Sequence, residues 1–376
     1  MDIRLSKRRF LSLAVQGAAL VGITAVPLVR ADEEFERYKN EMNTGWLGIQ
    51  DEFAQYKQDY DAAYADYHQE IAQFWTSPEL SDQTLWVDYN PDMDIKRVVD
   101  FDKDEIRISV RGKALENFRP EDAERQIRET LGTSISKAYL EDPLLKKVTG
   151  DKPPKVPQNL LGLSPHLAST LNSKSKITRK AGKAGDVLTI TAPLPANALS
   201  QRAGVYLPMV KKAAAKWQVP ASLVMAIMHT ESAFNPMARS HIPAFGLMQI
   251  VPKSAGRDAS KLVFGKERLL TGRDLYQPAT NIEMGAAYLH ILDKKYLSGI
   301  KDPAARLHCV IAAYNTGAGN VARAFSGTTS IKKALPLINR LSAQQVYAHL
   351  RSNLKYKEAR NYVQKVNKHL ATYRTA

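Results

Sequence analysis

A chain of 376 residues exceeds what one ordinary hydrophobic core organises, so two folding units behind a leader are expected. With 44% hydrophobic and 24% charged residues, the composition excludes a fibre, a membrane-embedded bundle and a wholly disordered chain. The net charge of +15 is unevenly laid: residues 201–376 hold 26 Lys and Arg against 8 Asp and Glu, or +18, whereas residues 32–110 hold 7 against 20, or −13. A basic half attracts an anionic polymer, and nucleic acid, acidic lipid and carboxylate-bearing cell wall all qualify on charge alone. A basic surface kept only for solubility is the plainer alternative.

Arg4, Lys7, Arg8 and Arg9 precede an apolar run from Phe10 to Val29, and Asp32-Glu33-Glu34 follows. That order is an export signal over residues 1–31, with Val29-Arg30-Ala31 as its cleavage site. Ser6-Lys7-Arg8-Arg9-Phe10-Leu11 also resembles a twin-arginine motif. The mature chain is therefore expected in the periplasm, and a nucleic-acid partner does not fit. Left uncleaved, the apolar run approaches the ~20 residues needed to cross a bilayer and would give membrane association. No cysteine follows it, so an acyl-lipid anchor is not expected there.

From Phe53 the apolar residues fall at Phe53, Tyr56, Tyr60, Tyr64, Tyr67, Ile71 and Phe74, steps of three and four that predict one stripe of an amphipathic helix. The stripe reads as a core seam, with sugar stacking as the alternative. Strand character follows at 85–89, 95–101 and 106–110, the last two joined across Asp102-Lys103-Asp104-Glu105 as a hairpin. Arg119-Pro120-Glu121-Asp122 opens a helix to about Tyr139. Residues 143–186, rich in Lys, Pro, Ser and Gly, read as a linker or long loop, and 186–191 as a strand completing the sheet. Residues 32–195 are thus a small α+β domain.

Beyond Pro195 the strand signals vanish. Helices are expected at about 204–217, 221–232, 279–296, 303–313, 318–325, 342–353 and 356–373, making residues 196–376 an all-helical domain. The single cysteine, Cys309, excludes an intrachain disulfide and a Cys-based zinc site, and in its apolar run it reads as a buried inert thiol.

Glu231 ends the apolar helix that begins at Ser222, with Ile227 and Met228 one turn before it. A carboxyl group so surrounded is poorly solvated, which raises its pKa and suits a general acid near neutral pH. A Glu at a helix end is by itself more often solvated or structural.

The run Glu231-Ser232-Ala233-Phe234-Asn235-Pro236, then Ser240, then Gly246-Leu247-Met248-Gln249, and later Ala313-Tyr314-Asn315-Thr316-Gly317-Ala318-Gly319, resembles the signature of the lytic murein transglycosylases. Glu358-Ala359-Arg360-Asn361-Tyr362-Val363 matches that family's closing motif, and the acidic region before the helices resembles the N-terminal domain of the membrane-bound C subfamily. The resemblance implies a goose-lysozyme-like helical catalytic domain acting on peptidoglycan glycan strands, other cell-wall enzymes as further partners, and no cofactor or metal. It makes Glu231 the acid and base, and Ser240, Gln249, Tyr314, Asn315, Glu358 and Tyr362 the residues lining the glycan groove. Ser240 would meet the sugar's N-acetyl group. Read without the family, Ser240 is a turn serine and Tyr314 a core tyrosine.

A two-carboxylate glycosidase needs a second acid. The helical half offers Asp258, Glu267, Asp274, Glu283, Asp293, Asp302 and Glu358, none inside the 231–249 or 313–319 runs. Spacing along the chain leaves open whether one of these folds into the site, but the pattern suits the substrate-assisted transglycosylase that the resemblance implies, leaving a 1,6-anhydro end, with a goose-type lysozyme as the hydrolytic alternative and a non-catalytic wall-binding protein as the alternative of another class. Two departures stand out: the C subfamily usually carries a lipidated cysteine after its leader, and His241-Ile242-Pro243-Ala244-Phe245 is bulkier than the family's small-residue loop.

Overall fold

The structure, a computed structural model, describes residues 54–374 apart from 56, 150–152, 155, 157, 182–184 and 241–243. The export signal, Phe53 and Tyr56 lie outside the described residues, as do His241, Ile242 and Pro243.

Helix α1 spans residues 57–72 and buries Tyr60, Tyr67 and Ile71, so the tyrosine stripe is a core seam. Tyr67 and Ile71 pack with Trp75 and Met93 in a small cluster of their own, where the Trp75 indole donates to the Met93 carbonyl at 2.9 Å. The chain then folds into an antiparallel sheet: β1 (Leu85–Tyr89), β2 (Ile95–Asp100), β3 (Glu105–Arg111), β4 (Lys176–Lys180) and β5 (Val187–Pro193), in the order β1-β2-β3-β5-β4. Asp100 pairs with Glu105 at the end of the β2–β3 hairpin, and the acidic turn lies where the sequence places it. Val98, Val99, Ile106, Ile108 and Val110 are buried.

Helix α2 (Pro120–Gly132) ends before Ser134, whose hydroxyl accepts from the Lys137 N–H at 3.1 Å and caps a second short helix, Ile135–Glu141. One continuous helix to Tyr139 is therefore replaced by two. Segment 143–186 likewise differs from the expected loop. It carries helices Pro143–Thr149 and Ala168–Ser173 and the edge strand β4. All five β4 residues are exposed, so Lys-Ile-Thr-Arg-Lys lacks the alternating buried face by which a strand is recognised, while its lysines suit an unpaired sheet edge.

The rest is helical: α3 (Ala198–Trp217), α4 (Ala221–Ser232), α5 (Pro278–Ile291), α6 (Pro303–Thr316), α7 (Ala318–Ser326), α8 (Ala343–Asn353) and α9 (Lys357–Tyr373). Shorter helices at Arg257–Phe264, Gly272–Leu275 and Ile331–Ile338 were not legible in the sequence. The small sheet domain followed by helices is the α+β class expected. Helix α4 buries Leu223 through Met228 without interruption and packs against α3 and α9, which makes it the central rod of the helical part. Sheet and helices contribute to one continuous cluster of buried side chains, and α3 is tied to the β2–β3 turn by the buried Arg202, which donates to the Phe101 carbonyl at 3.1 Å and pairs with Asp104 at 2.7 Å. Among the described residues no helix is long and apolar enough to cross a membrane.

Candidate active site

The last turn of α4 carries Glu231 with only 9% of its surface exposed. The helix is apolar on all sides, so the carboxyl group enters the protein interior without water to solvate its charge. The Tyr362 phenol, from the second turn of α9, donates to its Oε1 at 2.7 Å. Burial pushes the Glu231 pKa up to about 8; the Tyr362 hydrogen bond works against that rise and the neighbouring Glu358 charge adds to it. Glu231 is thus an acid held protonated at neutral pH, with a donor ready to stabilise its anion.

Tyr314, near the end of α6, completes the immediate surroundings. Burial first, and then the Glu231 charge, raises its pKa well above the usual phenol value, so it stays a neutral donor. Its hydroxyl donates to the Met248 carbonyl at 2.9 Å, which fixes the segment leading into Gln249. Gln249 is 7% exposed and sits in the left-handed region at φ 47°. Its Nε2 donates to the Gly246 carbonyl at 3.2 Å, while its Oε1 is buried and accepts no hydrogen bond among the described residues. Ala233 and Phe234 are left-handed as well, at φ 47° and 64°. Three non-glycine residues in this conformation close to one carboxyl group are backbone strain, held by the structure around it.

That surrounding structure is built from polar residues to which the sequence reading assigned no role. Asn281, fully buried in α5, accepts from the Met248 N–H at 2.8 Å and donates to the Phe245 and Leu275 carbonyls at 2.7 and 2.8 Å. Every polar atom of one amide is spent on shaping the Phe245–Gln249 turn. Ser232 donates to the Leu247 carbonyl at 2.8 Å, tying that turn to the residue beside Glu231. The signal for Asn281 was present as the lone amide of a mostly apolar helix. Gly246 has φ 72°, and a Cβ there would lie 2.5 Å from both the Asn281 amide nitrogen and the Leu275 carbonyl oxygen, so only glycine fits.

The structure therefore brings Glu231, Tyr362 and Tyr314 together, with Gln249 on the adjoining turn. Glu358 lies exposed one turn before Tyr362 on α9. Asn315 is partly exposed next to Tyr314, and Ser240 is partly exposed, its N–H bonded to the Ala244 carbonyl at 3.2 Å. The other acids of the helical half have different occupations. Asp258 meets Arg257 and Tyr296, Glu267 pairs with Lys261, Asp274 with Arg268, Glu283 with Lys216, Asp293 with Arg306 and Lys294, and Asp302 caps α6. Cys309 is buried, its thiol pushed up to about 12, as an inert core residue.

Residues 208–335 match the family described as the transglycosylase SLT domain. The chain is 40% identical over 232 residues to a protein of Histophilus somni named membrane-bound lytic murein transglycosylase C, a match covering 62% of this chain and 63% of that protein. It is 42% identical over 201 residues to the protein of the same name from Salmonella typhimurium, covering 54% of this chain and 55% of that one. The chain thus spans less than two thirds of the length of these relatives. Among solved structures, the 70 kDa soluble lytic transglycosylase of Escherichia coli aligns with 20% identity over 70% of this chain and 44% of that one, at a TM-score of 0.35.

Proposed function

We propose that this chain, a member of the transglycosylase SLT domain family through residues 208–335, is a periplasmic peptidoglycan lytic transglycosylase. It would cleave the MurNAc-β-1,4-GlcNAc bond of glycan strands and leave a 1,6-anhydro-MurNAc end. The observation that carries the reading is Glu231: a buried, protonated carboxyl group with a phenol on its oxygen, in a helical half whose other acids, Glu358 apart, are engaged in ion pairs or caps.

Glu231 gives its proton to the glycosidic oxygen as the bond from C1 breaks. Its new anion is stabilised by the Tyr362 hydrogen bond. The substrate's acetamido group supports the positive charge at C1, the C6 hydroxyl attacks C1, and Glu231 takes the hydroxyl proton, which restores its starting state. No water enters. Gln249, with an unused buried acceptor, suits the amide N–H of an N-acetyl sugar; Ser240, Tyr314, Asn315, Glu358 and Tyr362 line the groove. Residues 1–31 would deliver the chain to the periplasm, and the +18 balance of residues 201–376 suits a carboxylate-bearing polymer.

The test is digestion of purified sacculi by the mature protein, followed by mass spectrometry of the fragments. Anhydro ends, lighter by one water than hydrolysed ends, are expected. Hydrolysed ends would convert the reading to a goose-type lysozyme, and an inert protein that still binds sacculi would make it a wall-binding protein.

A further inference from the structure

Arg239 stands directly before Ser240, eight residues after Glu231, and is 2% exposed. Its backbone N–H donates to the Asp82 carbonyl at 3.2 Å, its Nε to the Ser81 carbonyl at 3.2 Å, and its Nη1 to Asp142 Oδ2 at 2.6 Å. All three partners belong to the N-terminal region. A guanidinium buried this deeply is costly unless it is fully engaged, and removing one partner leaves a buried charge unpaired.

The partners are themselves fixed. The other oxygen of Asp142 accepts from the Leu144 and Leu145 N–H groups at 3.0 and 3.1 Å, so the carboxylate is locked to the start of its own helix. Ser81 exchanges hydrogen bonds with Val87 through its hydroxyl, and Asp82 Oδ1 accepts from the Thr84 and Leu85 N–H groups at 2.7 Å. Each partner of the arginine is thus also held by hydrogen bonds within the N-terminal region.

The same region also holds both ends of the segment that bears Ser240. At its start, the Asn235 side-chain amide donates to the Gln83 carbonyl at 3.3 Å. At its end, Phe245, which bridges to Arg239, packs its ring edge-on to Tyr60 of α1 at 6.2 Å. Asn235, Arg239 and Phe245 are thus three points held by the N-terminal region, and Phe245 runs on directly into the Gly246–Gln249 turn.

We infer that the N-terminal α+β region is a brace for the substrate loop, with Asp142 and Arg239 as positioning residues that set where Ser240 and the following turn meet the glycan. The inference rests on the proposed function, since it treats the loop as glycan-binding. The molecule supplies its own control in Arg202, a second buried arginine joining the same two regions through Asp104 and the Phe101 carbonyl, on a different segment from the loop.

The experiment compares Asp142→Asn with Asp104→Asn in the full mature protein, measuring KM and kcat on soluble glycan strands together with thermal melting. Loss of one oriented charged contact on the loop is expected to raise KM about tenfold in Asp142→Asn with kcat within about twofold, while Asp104→Asn lowers the melting temperature and leaves KM unchanged. Equal KM in Asp142→Asn and wild type, or equal rises in both variants, overturns the brace. Should Asp142→Asn fail to fold, hydrogen exchange on the Glu231→Gln protein decides instead. Glycan binding is expected to slow exchange at the Arg239 N–H and through residues 82–85, and unchanged exchange there overturns it. A wild-type protein that neither binds nor cleaves glycan sinks the proposed function and the brace together, whereas failure of the brace alone leaves wild-type cleavage intact.

Discussion

Replacing Glu231 by Gln should make the protein more stable, and the gain should depend on pH in a defined direction. An ordinary glutamate ionises near 4.5, and Glu231 in the folded protein does so near 8. Between those values the folded state holds one proton more than the unfolded chain, so stability falls by about 1.4 kcal/mol for each pH unit. From pH 4.5 to 7 this amounts to about 3 kcal/mol, an order-of-magnitude figure for a fully desolvated group. The Glu231→Gln variant has no such slope from this position, since an amide does not titrate. Denaturant unfolding of both proteins at pH 4, 5.5, 7 and 8.5 is the assay, with the free energy in water taken at each pH. The two curves should approach one another at pH 4, diverge through pH 7, and run parallel above about pH 8. In the same variant, cleavage should fall by 10² to 10⁴ or more, because one residue serves as both acid and base, while sacculus binding persists. A variant less stable than wild type at pH 7, or a difference that does not change with pH, would refute the account of Glu231 as a desolvated, protonated acid. Residual activity within about tenfold of wild type would refute its role as catalyst.

Tyr362→Phe removes a hydrogen bond that favours the Glu231 anion, so the alkaline limb of the kcat/KM profile should move upward by about one pH unit and kcat should fall about tenfold; a limb that stays put or moves to lower pH contradicts the geometry. Gly246→Ala forces a methyl against the Asn281 amide and the Leu275 carbonyl at a left-handed φ, at a cost of about 2–4 kcal/mol in denaturant unfolding; a change under about 0.5 kcal/mol would show that the turn yields freely. Sacculus binding should weaken steeply as salt rises, because screening shortens to about 8 Å at physiological ionic strength; affinity that is constant up to half-molar salt would remove charge from the binding account.

What the sequence disclosed and what it concealed follow a physical line. Glu231 was legible because burial of its helix can be read from composition alone: the residues from Ser222 to Met228 offer almost no polar face. The β2–β3 hairpin was legible because alternation and an acidic turn lie close together along the chain. Strand β4 was hidden because no residue in it is buried, and hydrophobic periodicity is blind to an edge strand held by its backbone pairing with β5 and a few polar side-chain contacts. The break at Thr133–Ser134 was hidden for a related reason, since the serine that starts the second helix looks the same as a serine inside a longer one.

The supporting shell of the site follows the same line at longer range. Tyr362 reaches Glu231 across 131 residues, Asn281 reaches Met248 across 33, and Asp142 reaches Arg239 across 97. Resemblance to a family motif could propose Tyr362, but nothing comparable pointed to Asn281 or Asp142, which bond backbone and another side chain. Yet these residues hold the backbone beside the Glu231 carboxyl group in place. Three left-handed non-glycine residues, Ala233, Phe234 and Gln249, cost stability individually and persist only where surrounding bonds over-determine them. Asn281 and Ser232 hold the Phe245–Gln249 turn from the helical half, while Asp142, Ser81 and Asp82 hold Arg239, between Phe234 and that turn, from the sheet half. An acid held protonated by burial, beside a backbone held in strained conformations, needs structure on both sides of it, and this gives the N-terminal region a physical reason to be packed against the segment that follows Glu231.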